Sequence, residues 1–174
     1  MRSKTQKTKL ITYMGLGIAL YVVLSFTVKI PLLARIRTEP GYIAFGVFLC
    51  LFGYPATSVG VLGCIIANLL YSGTFPIGWA LGQLFIGLFY SWLFPKLKNI
   101  IWAKLAIGLI AVFIGIAGIK TVTESLLFNL PLGVKLVRGL VASAADAVPF
   151  LAGILISSRI AGRAETESDA ARDQ

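Results

Sequence analysis

Long apolar runs, separated by short polar or helix-breaking stretches, occupy most of the chain. Their lengths predict helices over residues 10–28, 41–53, 56–72, 76–94, 101–128 and 136–159. The second run reaches only about 20 Å at 1.5 Å per residue, which is less than the roughly 30 Å of a hydrocarbon core. That helix either begins earlier, near Thr38, or lies where protein or a thinned membrane surrounds it.

The composition indicates a membrane protein. Of the 174 residues, 57% are hydrophobic and 13% are charged, whereas a soluble domain has about 25% charged residues. The predicted fold class is therefore an all-α integral membrane protein with six transmembrane helices. The chain contains no histidine, which removes the commonest general base and the commonest metal ligand. We expect no enzyme, no metal site and no cofactor.

Lysine and arginine residues cluster on one predicted side of the membrane. The net charge is +9, and the clustered cations are Arg2, Lys4, Lys7, Lys9, Lys96, Lys98, Arg159 and Arg163. The positive-inside rule makes this side cytoplasmic, and both termini lie on it. Residues 1–160 are predicted to form one membrane domain, and the polar residues 161–174 a disordered tail.

The loop between the first two helices, KIPLLARIRTEPG, is unusually charged for an outer loop. It places Arg35, Arg37 and Glu39 outside, against the positive-inside tendency. One interpretation is a solvated loop with ordinary charges. The other is a lid that recognises a ligand arriving from outside, with these three side chains as contacts.

Few ionisable residues lie within the predicted helices, and such residues tend to mark function in a membrane. Lys120 and Glu124 are four residues apart on one helical face, so they can pair. They form either a self-neutralised structural pair or part of the wall of a polar cavity. Asp146 lies near the middle of the membrane, where an unpaired carboxylate is costly. Its expected partner is a cation, Lys120 or Arg138.

Further polar residues lie at a similar depth. Asn68 and Tyr71 are three residues apart on the third helix, and Trp79 and Gln83 are four apart on the fourth, so each pair faces one direction. For the two amides alone, hydrogen bonding between helices is the alternative explanation. All of these groups lie in the outer half, which predicts an outward-opening pocket. Its predicted lining is Arg35, Arg37, Glu39, Tyr42, Asn68, Tyr71, Trp79, Gln83, Lys120, Glu124, Arg138 and Asp146. The glycines around Gln83 are expected to let neighbouring helices approach closely.

Size, six spans, a basic cytoplasmic end and an outer pocket under a long first loop make the chain resemble a known family. It resembles the substrate-binding S components of energy-coupling factor (ECF) vitamin transporters, over residues 10–160. The likeness is strongest in GYIAFGVFLCLFGYPATSVGVLGCIIANLLYSG and FPIGWALGQLFIGL. The first helix of that family carries an AxxxA pair; here Gly15 and Ala19 hold those positions, and such a small-residue pair allows close helix contact.

The resemblance implies a subunit that captures a vitamin or vitamin precursor from outside, with the first loop closing over it. It implies docking through Gly15 and Ala19 on a membrane coupling subunit that carries two cytoplasmic ATPases, in the plasma membrane of a prokaryote. The sequence lacks the phosphate-binding G-x-x-x-x-G-K-[ST] motif, so ATP hydrolysis would come from partners. The expected partners are a vitamin-like ligand, that coupling module and the lipid bilayer, with no nucleic acid.

A six-helix scaffold protein of the cell-shape machinery is the main alternative, because such proteins have a similar size and bind no vitamin. A membrane enzyme and a stand-alone solute carrier are further alternatives. Among the loop and pocket residues cations outnumber acids, which favours a ligand with a carboxylate or phosphate. The aromatic residues Tyr42, Tyr71, Phe75 and Trp79 suit a ring, and a B vitamin or its precursor fits both features.

Overall fold

The computed structural model describes residues 4–27, 30–31, 37–97, 100–129 and 131–172, with the backbone alone at residues 4, 30, 31, 37 and 164–172. Within these ranges the helices are α1 (Lys4–Thr27), α2 (Gly41–Phe52), α3 (Thr57–Ser72), α4 (Ile77–Leu93), α5 (Ile101–Phe128) and α6 (Leu132–Arg172). Two 3₁₀ turns lie at Tyr54–Ala56 and Phe94–Lys96. β1 (Ile30–Pro31) pairs antiparallel with β2 (Arg37–Thr38).

The six helices confirm the predicted all-α membrane architecture. Five of the helical segments are long and apolar enough to cross a membrane, and α2 is a shorter apolar helix. The backbone has a positive φ at Gly53 (64°), Gly73 (66°) and Asn129 (48°), which follow α2, α3 and α5, and glycine and asparagine tolerate a positive φ most readily. The chain reverses at each of these points, so consecutive helices lie side by side.

The short helix α2 packs along α6 at the centre of the bundle. A Cβ on Gly46 would lie 2.6 Å from the Phe150 carbonyl oxygen, and a Cβ on Gly153 would overlap the Ile43 carbonyl oxygen. Only glycine permits this approach, which brings the two backbones into contact. Aromatic rings then fill the core around the contact, with Tyr42 meeting Phe150 edge to face at 6.4 Å between centroids.

The position of its first residue explains why α2 is short. The backbone N–H of Glu39, two residues before α2, reaches Asp146 on α6. Asp146 lies about 21 Å along α6 from Leu132 at 1.5 Å per residue. Helix α2 therefore begins inside the bundle, beside protein, and most of its residues are buried. The helix does not begin earlier, near Thr38; its short length is accommodated because protein surrounds its first turn.

Helix α6 is the longest element and continues to Arg172 with Pro149 inside it. Residues 161–172 of the polar segment, for which the composition predicts a disordered tail, are thus helical here. Helix α1 packs against α3 and α2. The end of the bundle that holds Thr27, Ser72, Ile77 and Leu132 is opposite both termini, and we refer to it as the outer end.

Candidate ligand-binding site

A chain of buried hydrogen bonds joins α4, α1 and the residue before Pro40 at the outer end. Gln83 donates from Nε2 to the Tyr21 hydroxyl oxygen at 3.1 Å, and that hydroxyl donates to Glu39 Oε2 at 3.0 Å. Tyr21 and Gln83 have no exposed surface. For Gln83, the interhelical alternative is therefore observed, since its amide ties α4 to α1. The chain of bonds holds the Glu39 carboxylate in a defined place.

Asp146 is fully buried and faces the start of α2. Its Oδ1 accepts the Glu39 backbone N–H at 2.9 Å. Among the described residues no ion pair within 4 Å joins Asp146 to Lys120 or Arg138, although the charges of Lys120 and Asp146 interact at longer range. The direct partner of the carboxylate is a backbone N–H, where the sequence predicts a cation. The physical reason is that the Glu39 N–H precedes α2 and enters no bond of that helix, while a buried backbone donor needs an acceptor, which the carboxylate supplies.

Three charged side chains form a cluster between α5 and α6. Lys120 Nζ lies 3.6 Å from Glu124 Oε1, and Lys135 Nζ lies 2.8 Å from Glu124 Oε2. The ammonium of Lys120 also lies 4.4 Å from the centroid of the Trp79 ring, within cation–π range. Two ammonium groups thus share one carboxylate, with only 9%, 13% and 21% of the Lys120, Glu124 and Lys135 side chains exposed.

A π-helical segment, Ile114–Lys120, interrupts α5 immediately before this cluster and ends at Lys120. At its end the Thr121 hydroxyl donates to the Ile116 carbonyl at 3.1 Å. Such segments are rare and often occur at functional sites. The apolar periodicity did not reveal it, and Gly115 and Gly118 are the sequence signals that accompany it.

Glycines on α4 bring this helix against α5. A Cβ on Gly82 would lie 2.8 Å from the Gly115 carbonyl oxygen, and a Cβ on Gly78 would lie 2.8 Å from Glu124 Cγ. The expectation that these glycines permit close helix approach is confirmed. Because of it, Trp79 lies directly beside the ammonium of Lys120.

A separate cavity of about 130 Å³ lies between α1, α3 and β2 at the outer end. Glu39, Asn68 and Tyr71 line it, together with Ser25 and Thr38. Asn68 donates to the Cys64 carbonyl on its own helix at 2.9 Å. This bond does not join two helices, so the interhelical alternative does not account for Asn68.

The predicted pocket residues therefore fall into two groups. The cavity holds Glu39, Asn68 and Tyr71, and the charge cluster holds Trp79, Lys120 and Glu124. Gln83 and Asp146 belong to the hydrogen-bonded chain, which meets the cavity at Glu39.

Other predicted pocket residues are placed differently. Arg138 is exposed, and Tyr42 is buried in the aromatic core. Arg37 lies in β2, with only its backbone described, and Arg35 lies outside the described residues.

Sequence reasoning missed Tyr21, Ser25 and Lys135. The first two are four residues apart at the outer end of α1, the same spacing that drew attention to Trp79 and Gln83. The same spacing in α1 could therefore have identified both residues as candidates for the site. Lys135 carried no such signal, because its partner lies on another helix.

Several buried polar atoms have no hydrogen-bond partner among the described residues. Four of them belong to predicted site residues or to α1 near the cavity: Gln83 Oε1, Asp146 Oδ2, the Tyr42 hydroxyl and Ser25 Oγ. Buried polar groups in proteins are normally paired. These atoms therefore mark places where water or a polar ligand can bind near the hydrogen-bonded chain.

The predicted docking pair lies on the outside of the bundle. Gly15 and Ala19 are both exposed, and a Cβ on Gly15 would meet nothing within 4 Å. Gly15 also lines a groove of about 420 Å³ between α1 and the first half of α3, with Pro55 at its edge. The surface is thus open to a neighbouring helix.

Comparisons with known proteins bear on the fold. No family model and no curated protein matches the chain. A solved structure does: "Crystal structure at 2.1 A of the S-component for biotin from an ECF-type ABC transporter". It superposes with a TM-score of 0.68 at 21% identity, covering 93% of this chain and 95% of that one. The predicted resemblance is confirmed for the fold: this multi-pass membrane protein has the S-component fold.

Proposed function

We propose that the protein is the substrate-capture subunit of an ECF-type vitamin transporter in the plasma membrane of a prokaryote. It takes a vitamin or vitamin precursor from outside and delivers it with partner subunits. It performs no catalysis itself. The observation that carries this proposal is the buried polar site at the outer end of a bundle with the S-component fold.

The location of the polar groups supports capture from outside. The bond from Gln83 to Tyr21, the bond from Tyr21 to Glu39 and the charge cluster all lie near the outer ends of the helices. A cell-shape scaffold has no need of buried ionic groups there, because such groups are costly in a membrane. In our proposal the loop before α2 closes over the ligand, with Arg35, Arg37 and Glu39 as contacts.

The partners follow from the same proposal. Helix α1 docks through Gly15 and Ala19 on a membrane coupling subunit, which carries two ATPase subunits in the cytoplasm. Exposure of both residues, and the groove beside Gly15, support this surface. The docking face lies on the outside of α1, whereas Tyr21 on the buried side belongs to the ligand site.

The ligand is a small molecule with a ring and an anionic group. Lys120 and Lys135 share the single carboxylate of Glu124, so the cluster carries a surplus ammonium group that favours a carboxylate or phosphate. The Trp79 ring beside Lys120 offers an apolar face for a ring. Biotin, the vitamin of the similar S component, has both features and is the first candidate.

Native mass spectrometry of the gently purified protein tests the proposal. We expect a vitamin-sized adduct, or a complex that contains a coupling subunit and ATPases. A protein that carries no ligand and brings down cell-wall synthesis proteins would favour the scaffold alternative. If added vitamins, biotin among them, also fail to bind the purified protein, the capture role is refuted.

A further inference from the structure

A second cavity lies at the opposite, cytoplasmic end of the bundle, far from the proposed ligand site. Its volume is about 70 Å³, and it lies between the last turn of α2, the residue after α4, the first turn of α5 and α6. Lys104 from α5 and Phe94 after α4 line it, with Ser157 and Ser158 on α6. We call it the Lys104 cavity. Nothing in the proposed capture of a vitamin uses it.

The ammonium of Lys104 has no acidic partner among the described side chains. Its own side chain is half-buried, and its Nζ lies 4.8 Å from the centroid of the Phe94 ring. The acidic side chains that the structure describes are Glu39, Glu124 and Asp146, and all three belong to the outer site. A half-buried cation that meets no acid among the described side chains is costly, so this cavity favours an anion.

Two exposed tryptophans indicate that the cavity lies at the depth of the lipid headgroups. Trp92 and Trp102, at the same end, are 55% and 76% exposed, and exposed tryptophans are typical of the membrane–water interface. Lys96 places its ammonium 4.0 Å from the centroid of the Trp92 ring. Lys104 lies in the first turn of α5, about 4.5 Å further into the membrane than Ile101 at 1.5 Å per residue.

The walls of the cavity suit a group that is polar at one end and apolar at the other. The Ser157 and Ser158 hydroxyls donate to carbonyls of their own helix, at 2.7 and 2.8 Å. These bonds leave Lys104 as the group that attracts an anion, while the serines keep one wall polar. Leu51, which is 45% exposed, and Phe94 provide an apolar wall.

We propose that the Lys104 cavity binds the phosphate group of an anionic phospholipid, whose acyl chains lie along Leu51 and Phe94. A membrane supplies this occupant at high local concentration, and the basic end of the bundle matches its charge. Arg159 and Arg163, both exposed on α6, add positive charge at the same end. They favour a lipid with net negative charge over a zwitterionic one.

Lipid retention by the whole protein tests this proposal. The protein is placed in nanodiscs of equal parts phosphatidylglycerol and phosphatidylcholine, released in the mass spectrometer, and its retained lipids are counted. Lys104→Met keeps the length of the side chain and removes its charge. Lys96→Met is the matched control, because Lys96 lies at the same end over an exposed ring.

We expect the wild type and Lys96→Met to retain phosphatidylglycerol in preference to phosphatidylcholine. In Lys104→Met the ratio of retained phosphatidylglycerol to phosphatidylcholine should fall about fivefold. An equal loss in both variants would mean general attraction to the basic end and would overturn the proposal. So would a wild type without preference. The coupling subunit that co-purifies with each variant is measured as well. If Lys104→Met keeps the lipid preference but co-purifies with less coupling subunit than the wild type, the cavity binds a protein carboxylate and the lipid proposal is overturned.

Discussion

The Tyr21 hydroxyl donates a hydrogen bond to Glu39 Oε2 at 3.0 Å while it accepts one from Gln83 at 3.1 Å. One phenol therefore connects α1, α4 and the loop that leads into α2. Because Tyr21 has no exposed surface, no water in bulk solution can replace either bond. The position of Glu39 depends on this hydroxyl.

Replacing Tyr21 by phenylalanine removes the hydroxyl and keeps the ring. We expect a loss of about 1–3 kcal/mol in stability, because a carboxylate loses a donor and a buried amide loses its acceptor. Thermal unfolding in detergent measures this loss. Tyr42→Phe is the control, since the Tyr42 hydroxyl has no partner among the described residues. Equal melting temperatures for the two variants would contradict the assigned bonds.

Asp146 should tolerate an amide but not an apolar side chain. Asparagine retains an oxygen that can accept the Glu39 N–H, so Asp146→Asn should stay within about 1 kcal/mol of the wild type. Asp146→Leu leaves that N–H without its acceptor and should cost about 1–3 kcal/mol. Unfolding of both variants is compared in the same detergent. If the asparagine variant loses as much as the leucine variant, the charge of Asp146 matters rather than its hydrogen bond.

Gly82 should not accept a methyl group. In Gly82→Ala the new Cβ would lie 2.8 Å from the Gly115 carbonyl oxygen, and we expect a loss of about 1–3 kcal/mol from overpacking. Gly133→Ala is the control, because a Cβ there meets nothing within 4 Å. In a thermal scan we expect Gly82→Ala to melt below the wild-type temperature and Gly133→Ala to melt at or above it. A neutral Gly82→Ala would mean that α4 and α5 are further apart.

Glu124→Gln should destabilise the cluster and weaken ligand binding, because the Glu124 carboxylate holds both ammonium groups in place. Lys120 and Lys135 would then face a neutral amide, and the loss of a partly buried ion-pair partner costs about 1–3 kcal/mol. Isothermal titration with biotin, or with whichever ligand mass spectrometry identifies, measures the affinity.

Arg138→Ala tests the predicted pocket role of the exposed arginine, and we expect weaker binding without loss of stability. Unchanged affinity in both variants would refute the predicted pocket.

Gly15→Leu should separate binding from transport. The side chain would enter open space beside α1, so the fold and ligand affinity should be unchanged, while the bulky group should block helix docking and abolish uptake. Radiolabelled uptake by cells and ligand binding by purified protein are measured side by side. Gly15→Ala is the matched control and should retain transport. Persistent uptake in Gly15→Leu would show that α1 docks elsewhere or not at all.

Properties that depend on one segment at a time were determined by the sequence itself. Apolar run length predicted the six helices, and 101–128 matches α5 in full. Breakers such as Gly53 and Gly73 marked true helix ends. The i,i+4 spacing predicted the pair of Lys120 and Glu124. Each of these features follows from the geometry of one segment and from the cost of exposing polar backbone groups to lipid. Neither depends on which helices pack against that segment.

Partners across helices were decided by the tertiary structure alone. Gln83 meets Tyr21 across 62 positions of sequence, and Glu39 meets Asp146 across 107. The spacing of residues within one helix cannot predict that Lys135 is the second partner of Glu124. It also cannot predict that the residue before Pro40 is the partner of Asp146. Those choices depend on helix separation and depth, which glycine contacts such as Gly82 with Gly115 set. Such contacts form only when the whole bundle has packed.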